Sequence, residues 1–151
     1  MIHAILVAIT AVRLLGAPAG VDDRADVLTA LNHFADAFNK GDAKAALALC
    51  SEQALIIDEF PPYLWRGTGC GKWMSDYDVN AKKNGITDGH VVLGVARHVD
   101  ITGDIAYVVM PIDYTFRKKG KAQREMGSLL TVTLQKGAAG WQLTGWTYSK
   151  H

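Results

Sequence analysis

Phe34-Ala35-Asp36-Ala37-Phe38-Asn39-Lys40-Gly41-Asp42 holds the end of one helix and the start of another. Upstream of it, Val27, Leu31, Phe34, Ala35 and Phe38 recur at helical spacing, behind Asp22 or Asp23 as a capping residue. Lys40 suits the last turn and Gly41 the left-handed stop. Asp42 then caps a short helix through the Ala-rich Ala43 to Cys50, and Ala54 to Asp58 is a short β-leaning run. A third helix is predicted from the stripe Cys70, Trp73, Met74, Tyr77 and Ala81, starting near Thr68 and ending at Lys82-Lys83-Asn84-Gly85.

From Ile86 onward the periodicity changes to long β segments. His90 to Val99 and Ile105 to Arg117 meet at Thr102-Gly103-Asp104, Lys119-Gly120 makes the next turn, and Gly137 to Gly140 precedes a last strand, Trp141 to Ser149. Helices followed by consecutive hairpins predict an α+β domain, with the helices packed on one face of an antiparallel sheet. In Ile105 to Arg117 one face carries Ala106, Val108, Met110, Ile112, Tyr114 and Phe116, and the other carries Tyr107, Val109, Pro111, Asp113 and Thr115. Both faces are largely apolar, so something besides the helices should cover the second one. A homodimer packed sheet to sheet is the expected cover.

The 151 residues, 49% hydrophobic and 21% charged, suit one compact domain. Sixteen Lys and Arg against 15 Asp and Glu give no general electrostatic attraction for nucleic acid or anionic membrane. Ala4 to Val12 is apolar but far below the roughly 20 residues that span a bilayer. With Ala17-Pro18-Ala19 behind it, the segment 1–19 reads as a signal peptide, residues 20–151 as the mature domain, and the protein as exported, to a periplasm or outside the cell. The competing reading is an ordinary N-terminal helix. Cys50 and Cys70 fit either compartment: paired, they would stabilise the fold by ~3 kcal/mol, and reduced, they are small buried hydrophobes.

The order of elements, the helix end quoted above and the closing Gly140-Trp141-Gln142-Leu143 strand together resemble the nuclear transport factor 2-like superfamily, in its SnoaL-like branch. The likeness runs from about Asp22 to Ser149. It implies a cone of the cystatin-like α+β kind, in which a strongly curved sheet wraps a long helix around a mostly apolar pocket. Members use that pocket for isomerisation, cyclisation, hydrolysis, dehydration or simple binding, so the fold leaves function open.

Aligned without gaps from Gly41-Asp42, Asp58 falls where the ketosteroid isomerases of this superfamily carry their general base. Such a base abstracts a proton beside a carbonyl, and an oxyanion hole of a Tyr and a protonated Asp holds the enolate. The same alignment places Phe34 at the tyrosine donor's position, and Phe donates no hydrogen bond. Tyr77, Tyr107, Tyr114 and the Trp73 indole are the substitute donors, and Asp113 is a candidate second acid. Asp113 and Tyr114 sit on opposite strand faces, so at most one of them lines the pocket. The competing reading of Asp58 is a strand-end carboxylate paired with Arg66 or Arg97, and Glu59 should turn away into solvent. Trp65, Trp73 and Tyr77 read as core or rim aromatics, or as pocket wall, with Phe60 to Trp65 a stiff loop across the mouth.

The five histidines, His3, His33, His90, His98 and His151, have no paired spacing, and no metal or other cofactor is implied. The leading expectation is binding of an unidentified small molecule by Phe34, Phe38, Trp65, Trp73, Tyr77 and Tyr114. One alternative is a lyase or isomerase with Asp58 as catalytic base. Another is a protein-interaction module whose cone is filled by side chains.

Overall fold

The computed structural model describes residues 21–67 and 69–151. The segment read as a leader and Thr68 lie outside them. The chain forms α1 (Val21–Asn39), α2 (Ala43–Ala48), β1 (Cys50–Ile57), β2 (Leu64–Trp65), α3 (Gly69–Asn84), β3 (Ile86–Leu93), β4 (His98–Thr102), β5 (Ile105–Lys118), β6 (Lys121–Gly137) and β7 (Gly140–Ser149). The expected α+β class is the observed one.

The helix end works as its residues dictate. Gly41 adopts φ 67°, and the amides of Gly41 and Asp42 donate back to the carbonyls of Phe38 and Ala37, each at 2.9 Å. This is a Schellman closure, and Asp42 then accepts from the amide of Ala45 at 3.0 Å to start α2. Asn39 ties the same helix end to the sheet, its amide group donating to the carbonyl of Val91 and accepting from its N–H, both at 2.8 Å. At the other end α1 is already helical at Val21, so Asp22 and Asp23 lie within it rather than cap it; Asp23 pairs with Lys136 on β6.

One sheet of seven strands runs β2-β1-β7-β6-β5-β3, with β4 also on β5. Contrary to expectation it is not wholly antiparallel, because β1 lies parallel to β7. There Gly145 passes so close that a Cβ would stand 2.5 Å from the carbonyl oxygen of Leu55. The segment expected as one strand, His90 to Val99, is broken: β3 pairs with the second half of β5 and β4 with the first. Pro111 sits at the break. Its carbonyl accepts from Gly94 at 2.8 Å, and on that same side it has no N–H to offer a continuous partner strand.

The core is the concave face against α1 and α3: Val27 and Leu31 meet Ile56, Val108, Val132 and Leu134, all buried. Cys50 and Cys70 form a disulfide that staples the start of β1 to the first turn of α3. On the convex face Leu55, Ile57 and Tyr107 remain more than 40% exposed, beside Thr131, Thr133 and Thr147 of the neighbouring strands.

Candidate functional site

Two bulges decide which side chains enter the cone. On β6 one extra residue separates the pair Ile112/Ser128 from the pair Tyr114/Glu125. Gly127 takes φ 74° there, and its amide donates to Asp113 Oδ1 at 2.7 Å. Side-chain parity flips across the bulge, so Met126 points out and Glu125 comes to the concave face beside Tyr114. Asp113, the candidate second acid, is thereby used up on the other face as the clamp of the bulge. On β7 an irregularity between Leu143 and Gly145 does the same, bringing both Leu143 and Trp146 inward, and Tyr148 after them.

These elements enclose a cavity of about 100 Å³. Phe34 and Phe38 of α1, Trp73 and Tyr77 of α3, and Tyr114 of β5 line it, as does Asp58 just past β1. Trp146, Tyr148 and Phe60 complete the aromatic wall, with Val91, Leu93 and Leu130 from the sheet. Trp65 is not on this wall: it stands behind Phe60, ring centroids 4.9 Å apart, and donates its indole N–H to Asp76 at 2.9 Å. Its strand β2 pairs with the outer edge of β1, which places its ring one layer from the cavity. The volume is of the same order as the ~150 Å³ that holds benzene in a protein core, so a single ring fits and a fused polycycle does not without movement.

Asp58 follows Ile56 on the buried side of β1 and carries a carboxylate into this apolar space. Its Oδ1 accepts from the amide of Glu59 at 2.7 Å and its Oδ2 from the indole N–H of Trp73 at 2.9 Å. Neither Arg66 nor Arg97 pairs with it. Burial pushes its carboxyl above the ordinary value, against the pull of Glu59, Trp73 and Trp146, with the charge of Glu125 adding to the rise. Glu59 is exposed, as expected, but does not turn clear of the site: β1 has ended before it, and the residue lines the cavity mouth.

Two further polar groups complete the site. The hydroxyls of Tyr77 and Tyr114 lie 2.6 Å apart, so one donates to the other and a second hydroxyl hydrogen is left to offer. Gly89 makes the meeting possible: a Cβ there would stand 2.6 Å from one hydroxyl and 2.9 Å from the other. Burial raises both phenols above the ordinary value. At the mouth Lys150 bridges Glu59 Oε2 at 3.0 Å and Glu125 Oε1 at 2.6 Å, and Tyr148 donates its hydroxyl hydrogen within reach of Glu125 at 3.2 Å and Ser128 at 3.0 Å. Glu125, Glu59 and Tyr148 escaped the sequence reading as site residues. The isolated Gly127 inside a strand was the one signal that could have placed Glu125. Among the described residues no group of His, Cys, Asp or Glu is arranged to hold a metal ion, and no helix is long and apolar enough to cross a membrane.

A curved, unclosed sheet wrapped on a long helix, with an apolar pocket in its concave face, defines the class: an α+β protein with the nuclear transport factor 2-like, cystatin-like architecture. The SnoaL-like domain family matches residues 27–150, and the chain belongs to that family. Solved structures share the fold at low identity. A nuclear transport factor 2-like superfamily protein from Salmonella enterica serovar Typhimurium is similar with a TM-score of 0.72 at 15% identity, over 85% of this chain and 91% of its own. An NTF2-like protein with a cystatin-like fold from Novosphingobium aromaticivorans gives 0.67 at 18%, over 86% and 82%. A ketosteroid isomerase-like protein from Erwinia carotovora atroseptica gives 0.64 at 19%, over 87% and 98%. No curated protein matches the sequence.

Proposed function

We propose that the protein binds a small, single-ring apolar molecule in the cone, with the Tyr77–Tyr114 pair offering one hydrogen to an oxygen of the ligand. The observation that carries this reading is the cavity itself: a space of ring size walled by Phe34, Phe38, Trp73 and Trp146, with its polar groups confined to a few positions. Titration with single-ring aromatic compounds, followed by the fluorescence of the cavity tryptophans and by NMR shifts of Leu31 and Val132, tests it. Saturable shifts confined to the cavity support the reading. No shift with any ring-sized compound would favour the filled, interaction-only cone.

One observation favours a second reading, proton transfer. Asp58 is a desolvated carboxylate with lone pairs left over after its two hydrogen bonds, and a tyrosine donor shares its cavity. That is the arrangement an isomerase or lyase needs, with the tyrosine pair in place of the donor that Phe34 lacks. Asp58→Asn separates the two readings, since it should abolish turnover of a carbonyl compound while retaining its binding.

Two features outside the site belong to the same proposal. The convex apolar face around Leu55, Ile57 and Tyr107 suits a second copy of the chain as its cover, giving a homodimer. Export, with cleavage of residues 1–19, accords with a disulfide-stapled domain.

A further inference from the structure

We propose that Lys150 is a latch that holds the Asp58 to Tyr63 loop down over the cavity, so that small molecules enter only as fast as this ion pair opens. The loop closes on itself, Asp58 donating its amide to the carbonyl of Tyr63 at 3.1 Å and Tyr63 its amide to the carbonyl of Phe60 at 2.8 Å, so it forms one unit that projects from the paired ends of β1 and β2. It carries two residues of the cavity wall, Glu59 and Phe60. Phe60 packs on Trp65 and, across the cavity, on Trp73 and Tyr77 of α3, and Trp73 bonds Asp58; the charged tie from the loop to the sheet is Glu59 to Lys150.

The two sides of that tie differ. Glu125 is anchored on β6: its side chain is 13% exposed, Lys150 reaches it at 2.6 Å, and Tyr148 connects it to the buried Ser128. Glu59 rides on the loop, and Lys150 itself, just past the end of β7, is 54% exposed. The sheet side therefore stays and the loop side moves. The sign of the force also depends on one atom. With the ammonium in place two carboxylates are drawn together; without it, at a pH where both are ionised, Glu59 and Glu125 face each other as like charges, and Asp58 adds a third near Glu125. Removing the lysine charge thus converts a clasp into a repulsion. Because the clasp is partly exposed, dissolved salt weakens it.

The latch goes beyond the binding reading and uses it only to say what enters. Its test on the full chain compares wild type with Lys150→Met and Lys150→Arg. The readouts are solvent exchange of the Trp73 indole hydrogen, hidden behind the loop, and acrylamide quenching of tryptophan fluorescence. Lys150→Met should speed both by about fivefold, the scale of an exposed ion pair, while backbone amides of β5 and β6 keep their protection. Lys150→Arg should behave as wild type, and raised salt should move wild type toward Lys150→Met. An unchanged indole exchange rate overturns the latch. So does an increase spread evenly over β5 and β6, which would make Lys150 a general stabiliser. Benzene added to wild type and Lys150→Met then separates the two proposals: if it binds neither, the cavity reading fails, while indole exchange still judges the latch.

Discussion

Trp73 donates its indole hydrogen to Asp58 across 2.9 Å, joining the second turn of α3 to the residue just past β1. The bond stabilises the ionised carboxylate, yet burial outweighs it and leaves the carboxyl above its ordinary value of 3.8. Between that value and the folded one, the native state holds a proton that the unfolded chain has released. Stability from this group is therefore lost as pH rises through the window, and the cost persists at neutral pH. Asp58→Asn keeps the shape and an acceptor for Trp73 without the charge. Its melting temperature at pH 7 should exceed that of wild type by a few degrees, with the two curves converging below about pH 4. Calorimetry across pH checks it.

Trp73→Phe removes the donor and leaves the carboxylate with less support. The Asp58 titration, followed through its carboxyl carbon by NMR, should move further up. A downward move would mean that water enters the space left by the indole and that desolvation is not the governing cause.

The tyrosine pair should act as one unit. Tyr77→Phe and Tyr114→Phe each leave a lone hydroxyl in an apolar wall, so in a double-mutant cycle the two changes should cost less together than separately, with a coupling of about 1 kcal/mol. Gly89→Ala should mimic both, because its methyl group would stand 2.6 Å from the Tyr77 hydroxyl. Each variant should lose affinity for a phenol or cyclic ketone more than for the matching hydrocarbon, measured by fluorescence titration.

Cys50 and Cys70 close a loop 20 residues apart in sequence. Replacing both with Ala should lower unfolding free energy by ~3 kcal/mol in denaturant titration, since the unfolded chain regains the freedom that the crosslink removes. The loss should also loosen α3, and with it Trp73 and Tyr77.

If a second copy covers the convex face, Tyr107→Lys should yield monomer by light scattering at micromolar concentration. Its partner residues on β6 and β4, Thr133 and Asp100, can accommodate the ammonium in a monomer. A wild-type protein that is already monomeric at that concentration removes the dimer proposal.

Local chemistry was enough for much of this molecule. A glycine able to adopt φ 67° after Phe38-Asn39-Lys40, an aspartate able to cap the next helix, and apolar residues at helical spacing determined α1, α2 and α3 within a few positions. Alternation determined β5, and Asp58, Phe34, Phe38, Trp73, Tyr77 and Tyr114 could be nominated from periodicity and family resemblance together. What the sequence could not decide was everything that depends on one strand's position against another. The parallel pairing of β1 with β7 joins residues about 90 apart, and no local propensity encodes it. The bulges at Gly127 and in β7 reverse which side chains face inward, so strand parity read along the sequence puts Glu125 on the wrong face. Trp65, aromatic and near Asp58 in sequence, reads as wall, but the edge strand β2 seats it in the core one layer behind Phe60. Glu59, Glu125 and Lys150 meet only because the ends of β1 and β7 reach the same rim as the bulge of β6. Local sequence sets which element forms, whereas register and bulges, fixed by packing of the whole sheet, set what each element presents.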